Sequence, residues 1–358
     1  MVISPKVRQA VECYSGKRMI YKALAKRVES IIREILESEK INYHSIVYRA
    51  KSVESYQKKA TIAKYREPRL EIMDMAGIRV ITYTDSDAKK VYEIIKGIFE
   101  IQPEHSIDKS KELGIDRVGY RSIHCIGTLG KERLSLPENK IFKDMCFEVQ
   151  IRTILQHAWA EFEHDRNYKF RGVLPNGMKR RFSILAGNLE LVDKEFDSLS
   201  ESIDAYAMEI GRKTELGDLD VAINSTSLTE YMKWKFKPLI DKRLVIPELT
   251  RDAETISEIN NMGIKTLQGL EQIIPKDFIE IRNNTIPENS VGWSNFTSLI
   301  IDLLIIHNAD AYFEKAWQMH WHGLAESDVK LYTHYGVDFG KYAKKYHLDI
   351  LEDFVFLS

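Results

Sequence analysis

Apolar and polar residues alternate strictly in the short stretch FEVQIRT, residues 147–153. The apolar positions are Phe147, Val149 and Ile151, and the polar positions between them are Glu148, Gln150 and Arg152. Successive side chains of a strand point to opposite faces, so this pattern predicts a strand with one buried and one polar face. A helical pattern, TILQHAWAEFEHD, follows at once. An ordinary half-buried strand shows the same alternation, so the rest of the chain must decide whether the polar face is functional.

The periodicity of the remaining chain separates a mixed front from a helical back. Strands are predicted in IRVITY, GYRSIHCIGTL and MCFEVQIRT, and helices over residues 5–40, 44–64, 87–100 and 178–211. The segment GRKTELGD, residues 211–218, contains two glycines and is predicted to be a linker. We therefore expect an α+β fold, with a mixed sheet flanked by helices in residues 1–212 and a mainly α-helical domain in residues 220–358.

Composition indicates an ordinary soluble protein, with 44% hydrophobic and 29% charged residues. The three cysteines have no metal-like spacing, which favours a reduced compartment without disulfides. The N-terminus lacks a signal-peptide pattern. The most apolar run, residues 296–307, is too short to span a bilayer and contains Asp302, so it is expected to be a buried helix. These features predict a cytoplasmic protein without a membrane partner.

The net charge of −1 is unevenly distributed along the chain. Residues 1–215 carry a net charge of +6 and residues 216–358 carry −7. A basic front suggests an anionic ligand in that half, and the acidic back could lie against the same surface. Two solvated faces of opposite sign would give the same distribution, and charge alone favours that simpler reading.

Two carboxylates and a basic segment in the front half could together handle polyphosphate. Asp74 precedes the strand IRVITY, and Glu148 lies on the polar face of another strand. Carboxylates on neighbouring strands can share Mg²⁺, which prefers oxygen ligands and phosphates. The segment RAKSVESYQKK adds three cations and a hydroxyl, namely Arg49, Lys51, Ser55 and Lys59. On a helix, Ser55 and Lys59 would share a face, which suits a polyphosphate.

A second binding surface is predicted on the strand that follows Gly119. Tyr120 and His124 share one face with Ser122, and an exposed aromatic ring and imidazole suit a stacked base and a phosphate or hydroxyl. Each feature alone is also typical of packing or a solvated face. The spacing of the histidines after residue 153 fits no zinc pattern. Together the features indicate a Mg²⁺-dependent transfer between two nucleotides.

Five motifs in this order resemble the synthetase domain of the RelA/SpoT alarmone synthetases. They are RAKSVESYQKK, DMAGIRVI, GYRSIH, EVQIRT and HAWAEFEHDRNYK, within about residues 20–210. The resemblance implies a nucleotidyltransferase-like mixed sheet flanked by helices. It also implies transfer of the β,γ-pyrophosphate of ATP to a ribose 3′-hydroxyl, usually that of GDP or GTP, which makes (p)ppGpp.

The resemblance implies a role for each residue of the two surfaces. On the ATP side, the adenine would lie on Arg49 and the phosphates would be held by Lys51, Ser55 and Lys59. Asp74 and Glu148 would bind Mg²⁺, and Glu148 could also take the proton of the attacking hydroxyl. On the acceptor side, the base would stack on Tyr120, His124 would contact the phosphates, and the substrates would be oriented by Gln150 and Arg152.

One motif departs from the family pattern. Typical members have a Pro-Lys-x-Asn run before the Gly-Tyr pair, whereas this chain has ELGIDRVGYRS, with Asp116 and Val118 at the Lys and Asn positions. This departure weakens the expectation of GDP or GTP. A toxic branch of small alarmone synthetases instead pyrophosphorylates the tRNA 3′-CCA end and stops translation. Basic residues that could contact RNA phosphates, or be ordinary surface charge, are Arg18, Lys22, Lys26, Lys179, Arg180 and Arg181.

The back half resembles no family that we can name. Some toxins of this family are fused to an antitoxin-like segment that blocks the ATP site, and the acidic balance and the aromatic residues Tyr332 and Tyr335 agree with such regulation in cis. They agree equally with a helical domain that mediates homo-oligomerisation or binds a protein partner. Too little chain precedes Arg49 for the hydrolase domain of long family members, so we expect no alarmone hydrolysis. A non-catalytic nucleotide sensor is a further alternative.

Overall fold

The computed structural model describes residues 4–108, 122–169, 175–287, 290–319 and 321–353. The chain divides into two compact units, residues 1–201 and 202–358, each of which has its own hydrophobic core. The division falls inside one helix, Asn176–Glu215. The predicted linker 211–218 is therefore helical through Glu215, and Gly217 ends the helix with a φ of +77°.

The N-terminal unit is built on a six-stranded mixed sheet, which confirms the predicted fold class. The strands are β1 (Ser45–Ala50), β2 (Ala76–Thr82), β3 (Glu100–Ile101), β4 (Ile107–Asp108), β5 (Ile123–Thr128) and β6 (Phe147–Thr153). Their order is β1-β2-β6-β5-β3, and β4 pairs with β5. Only the β2–β6 pair is parallel, and the other pairs of this sheet are antiparallel. The sheet thus places the strand that follows Asp74 directly beside the strand that carries Glu148.

Helices cover this sheet. They are α1 (Pro5–Ser38), α2 (Val53–Ala60), α3 (Pro68–Glu71), α4 (Asp85–Ile98), Gly130–Ser135, Ile154–Lys169 and Asn176–Glu215. In addition, 3₁₀ turns lie at Pro103–His105 and Pro137–Phe142. Helix α1 begins after Ser4, whose hydroxyl accepts a hydrogen bond from the backbone of Val7 at 3.3 Å. Its residues Leu24, Val28 and Ile32 repeat every four positions and are fully buried in the core.

The helix predicted over residues 44–64 is wrong in its first half. Residues Ser45–Ala50 form β1, which pairs antiparallel with β2, and α2 begins only after the cap residue Ser52. The sequence SIVYRA is rich in β-branched and aromatic residues, which pack well on a pleated surface. Arg49 therefore lies on a strand and Lys51 in the connection, while Ser55 and Lys59 share a helix as expected.

The C-terminal unit is mainly helical, as predicted. Its helices are Ser225–Lys235, Lys237–Asp241, Asp252–Asn261, Leu267–Ile273, Phe278–Thr285, Phe296–Ala311, Glu326–His334 and Phe339–Tyr346. A π-helical turn covers Tyr312–Ala316, and two short parallel pairs join Val245–Ile246 with Ser294–Asn295 and Gly323–Ala325 with Asp349–Leu351.

The apolar run at 296–307 is a buried helix, as predicted, but it is longer than the sequence suggested. With the π-helical turn it extends over Phe296–Ala316, 21 residues, which is long and apolar enough to cross a membrane by length and composition alone. Leu299, Leu303 and Leu304 are fully buried, and 67% of the apolar window is enclosed by the unit. Such burial is typical of the central helix of a folded core.

Candidate functional site

A chain of hydrogen bonds runs across the polar face of β5 and β6. Ser122 Oγ lies 2.7 Å from His124 Nε2, and His124 Nδ1 lies 2.8 Å from Glu148 Oε1. Gln150 Nε2 donates to Glu148 Oε2 at 2.8 Å, and Arg152 Nη2 donates to Gln150 Oε1 at 2.8 Å. The polar residues that alternate along FEVQIRT therefore form one connected row, while the apolar residues between them are buried in the core.

The register of the two strands explains this arrangement. β5 and β6 are antiparallel, with His124 opposite Gln150 and Ile126 opposite Glu148. Residues opposite each other, and their diagonal neighbours, share one face of a sheet. His124 can therefore reach Glu148 along the diagonal, and its position on the same face as the row was expected from alternation.

Glu148 is held in its ionised form. Burial raises the pKa of this carboxyl, but hydrogen bonds from His124 and Gln150 outweigh burial and place the pKa below its ordinary value. A carboxylate only accepts hydrogen bonds, so His124 donates through Nδ1. Each oxygen of Glu148 accepts one of these bonds and keeps a further lone pair for a ligand or a proton.

Asp74 forms a second charged group at the start of β2. Lys51 Nζ and Lys59 Nζ both contact its Oδ2 at 2.8 Å. Burial raises the pKa of Asp74, but the two ammonium groups outweigh burial and lower it below its ordinary value. The other oxygen, Oδ1, is buried and has no hydrogen-bond partner among the described residues. One carboxylate oxygen is therefore left for a ligand from outside the protein.

The backbone of Lys51 is anchored by helix α1. Tyr14 donates its hydroxyl to the Lys51 carbonyl at 2.6 Å, and Arg18 Nε donates to the same oxygen at 3.1 Å. Arg18 was predicted as an RNA contact, but here its guanidinium positions the segment that carries Lys51.

A cleft on this face brings the two carboxylates together. Asp74 and Glu148 both line it, with Arg49 on one strand and Arg79 on the next. Gly77 lies opposite Arg49 in the β1–β2 register, and a Cβ atom added at Gly77 would lie 3.7 Å from Arg49 Cγ. The sequence reasoning overlooked Arg79, although alternation along AGIRVIT places Gly77 and Arg79 on one face of the strand.

The carboxylates of this cleft fit a magnesium ion. Asp74 contributes a bare buried oxygen, and its charge also acts on Glu148, where it opposes the lowering of the pKa. Among the described residues, no group of three or more His, Cys, Asp or Glu side chains could hold a metal ion. Two carboxylates with room for phosphate and water suit Mg²⁺, which is commonly bound through one or two carboxylates and substrate phosphates.

The remaining predicted residues are scattered. Ser55 is exposed and hydrogen-bonds Ser52 at 2.9 Å, one turn before Lys59 on α2. Tyr120 lies outside the described residues, as do Asp116 and Val118. The other predicted RNA contacts are exposed on two helices: Lys22 and Lys26 on α1, and Lys179, Arg180 and Arg181 on Asn176–Glu215. The structure thus brings together most of the residues predicted to bind ATP and metal, but not Ser55 or the predicted RNA contacts.

Comparison with known proteins gives similar results in sequence and in structure. Residues 48–172 match the family described as a region found in RelA / SpoT proteins. The GTP pyrophosphokinase YjbM of Bacillus subtilis (strain 168) is 27% identical over 169 residues, which cover 46% of this chain and 75% of that protein. The GTP pyrophosphokinase YwaC of the same organism is 24% identical over 214 residues, 55% of this chain and 95% of that protein. The crystal structure of small alarmone synthetase 1 from Bacillus subtilis superposes with a TM-score of 0.44 at 22% identity, over 52% of this chain and 94% of that chain.

Proposed function

Because residues 48–172 match a region found in RelA / SpoT proteins, we propose that this chain is a pyrophosphokinase that transfers pyrophosphate from ATP to the 3′-hydroxyl of a guanine nucleotide. The relatives named GTP pyrophosphokinase support the reaction class. The observation that carries the proposal is the cleft, which Asp74 and the ionised Glu148 both line. A protein that only senses a nucleotide has no need of both carboxylates.

On the donor side, the cations of the cleft would bind ATP. Lys51 and Lys59 both contact one oxygen of Asp74, so their ammonium groups lie close together and could jointly contact the incoming phosphates. Ser55 would add a hydroxyl from the first turn of α2. Arg49 and Arg79 line the cleft from neighbouring strands, and their planar guanidinium groups suit stacking against a base.

On the acceptor side, Glu148 would act as the general base. As the 3′-oxygen bonds to the β-phosphorus of ATP, Glu148 takes its proton, the α,β-bridging bond breaks and AMP leaves. His124 holds Glu148 in place through Nδ1, while Gln150 and Arg152 orient the substrates along the same row. Asp74 and Glu148 would hold Mg²⁺, which neutralises phosphate charge when bound.

A tRNA 3′ end is the second candidate acceptor. Asp116 and Val118 stand where the family pattern has Lys and Asn to grip the guanine nucleotide. Lys22 and Lys26 are exposed on α1 and could contact RNA phosphates. This alternative predicts a toxin that blocks translation, with residues 220–358 as an antitoxin-like domain.

The test offers γ-labelled ATP and Mg²⁺ with GDP, GTP or deacylated tRNA in separate reactions. Label on a guanine nucleotide supports the first acceptor, and label on tRNA alone supports the second. Glu148→Gln should abolish both, whereas Glu132→Gln, which changes an exposed carboxylate outside the cleft, should not. If the protein binds nucleotide but no acceptor becomes labelled, and residues 1–215 alone behave in the same way, the non-catalytic sensor becomes the better explanation.

Regulation in cis by the C-terminal unit is a separate part of the proposal. Removal of residues 220–358 should raise the transfer rate or the toxicity on expression if this unit inhibits the enzyme. Tyr332 cannot contact ATP, because its side chain is fully buried in the core of the C-terminal unit. Tyr335 is more exposed and is the better candidate of the two.

A further inference from the structure

Two arginines line the cleft from neighbouring strands of the sheet. Arg49 lies opposite Gly77 in the β1–β2 register, and Arg79 lies two residues further along β2 on the same face. Residues in this diagonal relation lie roughly 7–8 Å apart, which leaves room for a planar ring between their side chains. The value of such a pair to a ligand depends on how firmly each guanidinium group is held.

Arg79 is held by a residue that lies outside the lining of the cleft. Its Nη1 donates a hydrogen bond to Glu161 Oε1 at 2.9 Å, and Glu161 lies on Ile154–Lys169, the helix that follows β6. The side chain of Arg79 is 22% exposed, whereas that of Glu161 is 57% exposed. Arg79 lines the cleft and Glu161 does not, so the carboxylate reaches the guanidinium group from the solvent side.

His157 lies one turn before Glu161 but does not compete with Arg79 for the carboxylate. Its Nδ1 lies 3.8 Å from Glu161 Oε1, beyond hydrogen-bond distance, and is buried without a hydrogen-bond partner among the described residues. Burial and the charge of Arg79 lower the pKa of His157 below its ordinary value, so its imidazole is neutral at neutral pH. The carboxylate of Glu161 is therefore paired with Arg79.

An ion pair of this kind acts on binding more than on folding. Exposed ion pairs contribute little to stability, because solvent screens them and two long side chains must be ordered. Arginine also has one of the most flexible side chains, so a ligand that must immobilise a free guanidinium group loses affinity. A guanidinium group that is already held beside the cleft avoids most of this loss.

We propose that Glu161 is a positioning residue, which holds Arg79 in the orientation that receives the base of the pyrophosphate donor. The inference rests on the proposed function in taking ATP as the ligand of this cleft. Glu161 acts through Arg79 and does not touch the nucleotide.

Positioning and simple electrostatics predict opposite effects of Glu161 on ATP binding. The negative charge of Glu161 would by itself repel an anionic ligand. Loss of the carboxylate should therefore strengthen ATP binding if only its charge matters. The same loss should weaken ATP binding if the carboxylate holds Arg79 in place.

The first test measures the dissociation constant of an ATP analogue with a methylene bridge between its α- and β-phosphates, by calorimetry on the full chain with Mg²⁺. Glu161→Ala should raise this constant about 3–10-fold, the usual effect of one side chain that is no longer preorganised. Glu161→Gln keeps an acceptor oxygen at the same reach and should raise the constant less. Glu138→Ala is the matched control and should leave it unchanged, since Glu138 is also 57% exposed and pairs with an arginine, Arg27, at 3.2 Å outside the cleft.

The second test is a double-mutant cycle with Arg79→Ala. If Glu161 acts through Arg79, Glu161→Ala should cause no further weakening once Arg79 is removed. In transfer assays, Glu161→Ala should raise the KM for ATP and leave kcat and the KM for the acceptor near their wild-type values, because the base is held equally before and during the reaction.

The outcomes separate this inference from the proposed function. Unchanged or tighter binding in Glu161→Ala, equal weakening with and without Arg79, or a wild-type protein that does not bind the analogue would overturn the inference. If the cycle gives the expected result but no acceptor becomes labelled, the positioning role stands and the proposed transfer is wrong.

Discussion

Each unit of the molecule contains a cluster in which basic side chains contact aspartates that are partly or fully buried. In the N-terminal unit, Lys51 and Lys59 share Asp74 at 2.8 Å, and Lys59 keeps 30% of its side chain exposed. In the C-terminal unit, Arg282 contacts Asp328 at 2.7 Å, and its side chain is only 2% exposed. Similar charges at similar distances therefore occur in very different surroundings.

The surroundings distinguish the first cluster, which is a candidate site, from the second, which stabilises the fold. Arg282 also lies 3.6 Å from Asp302, whose other oxygen accepts a hydrogen bond from Tyr332 at 2.8 Å, and three helices close over the group. Asp74 instead borders a cleft and has a bare oxygen. Ion pairing alone thus says little about function. An opening beside the pair, with cations that can exchange partners, is what makes the first cluster a candidate site.

The largest expected effect tests the open cluster. Asp74→Asn should reduce pyrophosphate transfer by about 10³-fold, because the charge that would hold the metal and phosphates is lost. The melting temperature should fall only moderately, because the lost ion pairs with Lys51 and Lys59 lie at the edge of the cleft, where Lys59 keeps 30% of its side chain exposed. Transfer assays and thermal unfolding of the same preparation check both statements. Wild-type turnover in Asp74→Asn would refute the assignment of this residue.

The closed cluster should give the opposite result. Arg282→Met keeps much of the side-chain volume but leaves Asp302 and Asp328 buried without their cation, at a cost of about 3–5 kcal/mol in unfolding free energy. The N-terminal unit has its own core, so residual transfer per folded molecule should persist. Denaturant titration measures the loss. Lys237→Met, which removes an exposed ion pair with Asp241, is the control and should cost less than about 1 kcal/mol.

Much of the N-terminal unit could be predicted because its elements show strong periodicity. β6 alternates strictly, and α1 and α4 have continuous apolar faces, so their positions followed from burial of one face. β1 was missed because charged residues follow it closely and its pairing with β2 is a long-range contact. Arg79 was overlooked for the same reason, since only the β1–β2 register places it beside Arg49.

The C-terminal unit could be predicted only as a class. Most of its helices are 5–11 residues long, which is too short for periodicity to fix their ends or their partners. Asp302 looked like an interruption in an apolar helix, whereas it is the partner of Arg282, which is distant in sequence.

Acidification is expected to act on the two units through different carboxyl groups. Burial raises the pKa of Glu258 in the C-terminal unit to about 7. Its contribution to stability is therefore fully present below the unfolded pKa of about 4.3 and is lost as the pH rises through about 7. The pKa values of Asp74 and Glu148 are lowered, so their contributions are present above the unfolded values and are lost only as the pH falls through the folded ones.

Lowering the pH from about 8 to about 5.5 should thus stabilise the C-terminal unit by at least about 2 kcal/mol, because burial raises the pKa of Asp302 as well as that of Glu258. The N-terminal unit should gain less, because burial raises the pKa of its Asp193 only to about 6. Four of the five tryptophans lie in residues 202–358, so tryptophan fluorescence during denaturation reports mainly on that unit. Glu258→Gln should reduce this pH dependence and leave the part that comes from Asp302. A C-terminal unit that loses stability over the same range would contradict the assignment.

The smallest effect separates the two tyrosines of the C-terminal unit. Tyr332 donates its hydroxyl to Asp302 in the closed cluster, whereas Tyr335 donates to the exposed Asp277 at 3.0 Å. Tyr332→Phe should cost about 1–2 kcal/mol, because a buried carboxylate loses a hydrogen bond, and Tyr335→Phe should cost less than about 0.5 kcal/mol. Equal costs would mean that burial does not distinguish these bonds. If Tyr335→Phe instead raises the transfer rate without a change in stability, Tyr335 acts on the enzyme. The closed cluster, which contains Tyr332, would then fix the position of the surface that carries Tyr335.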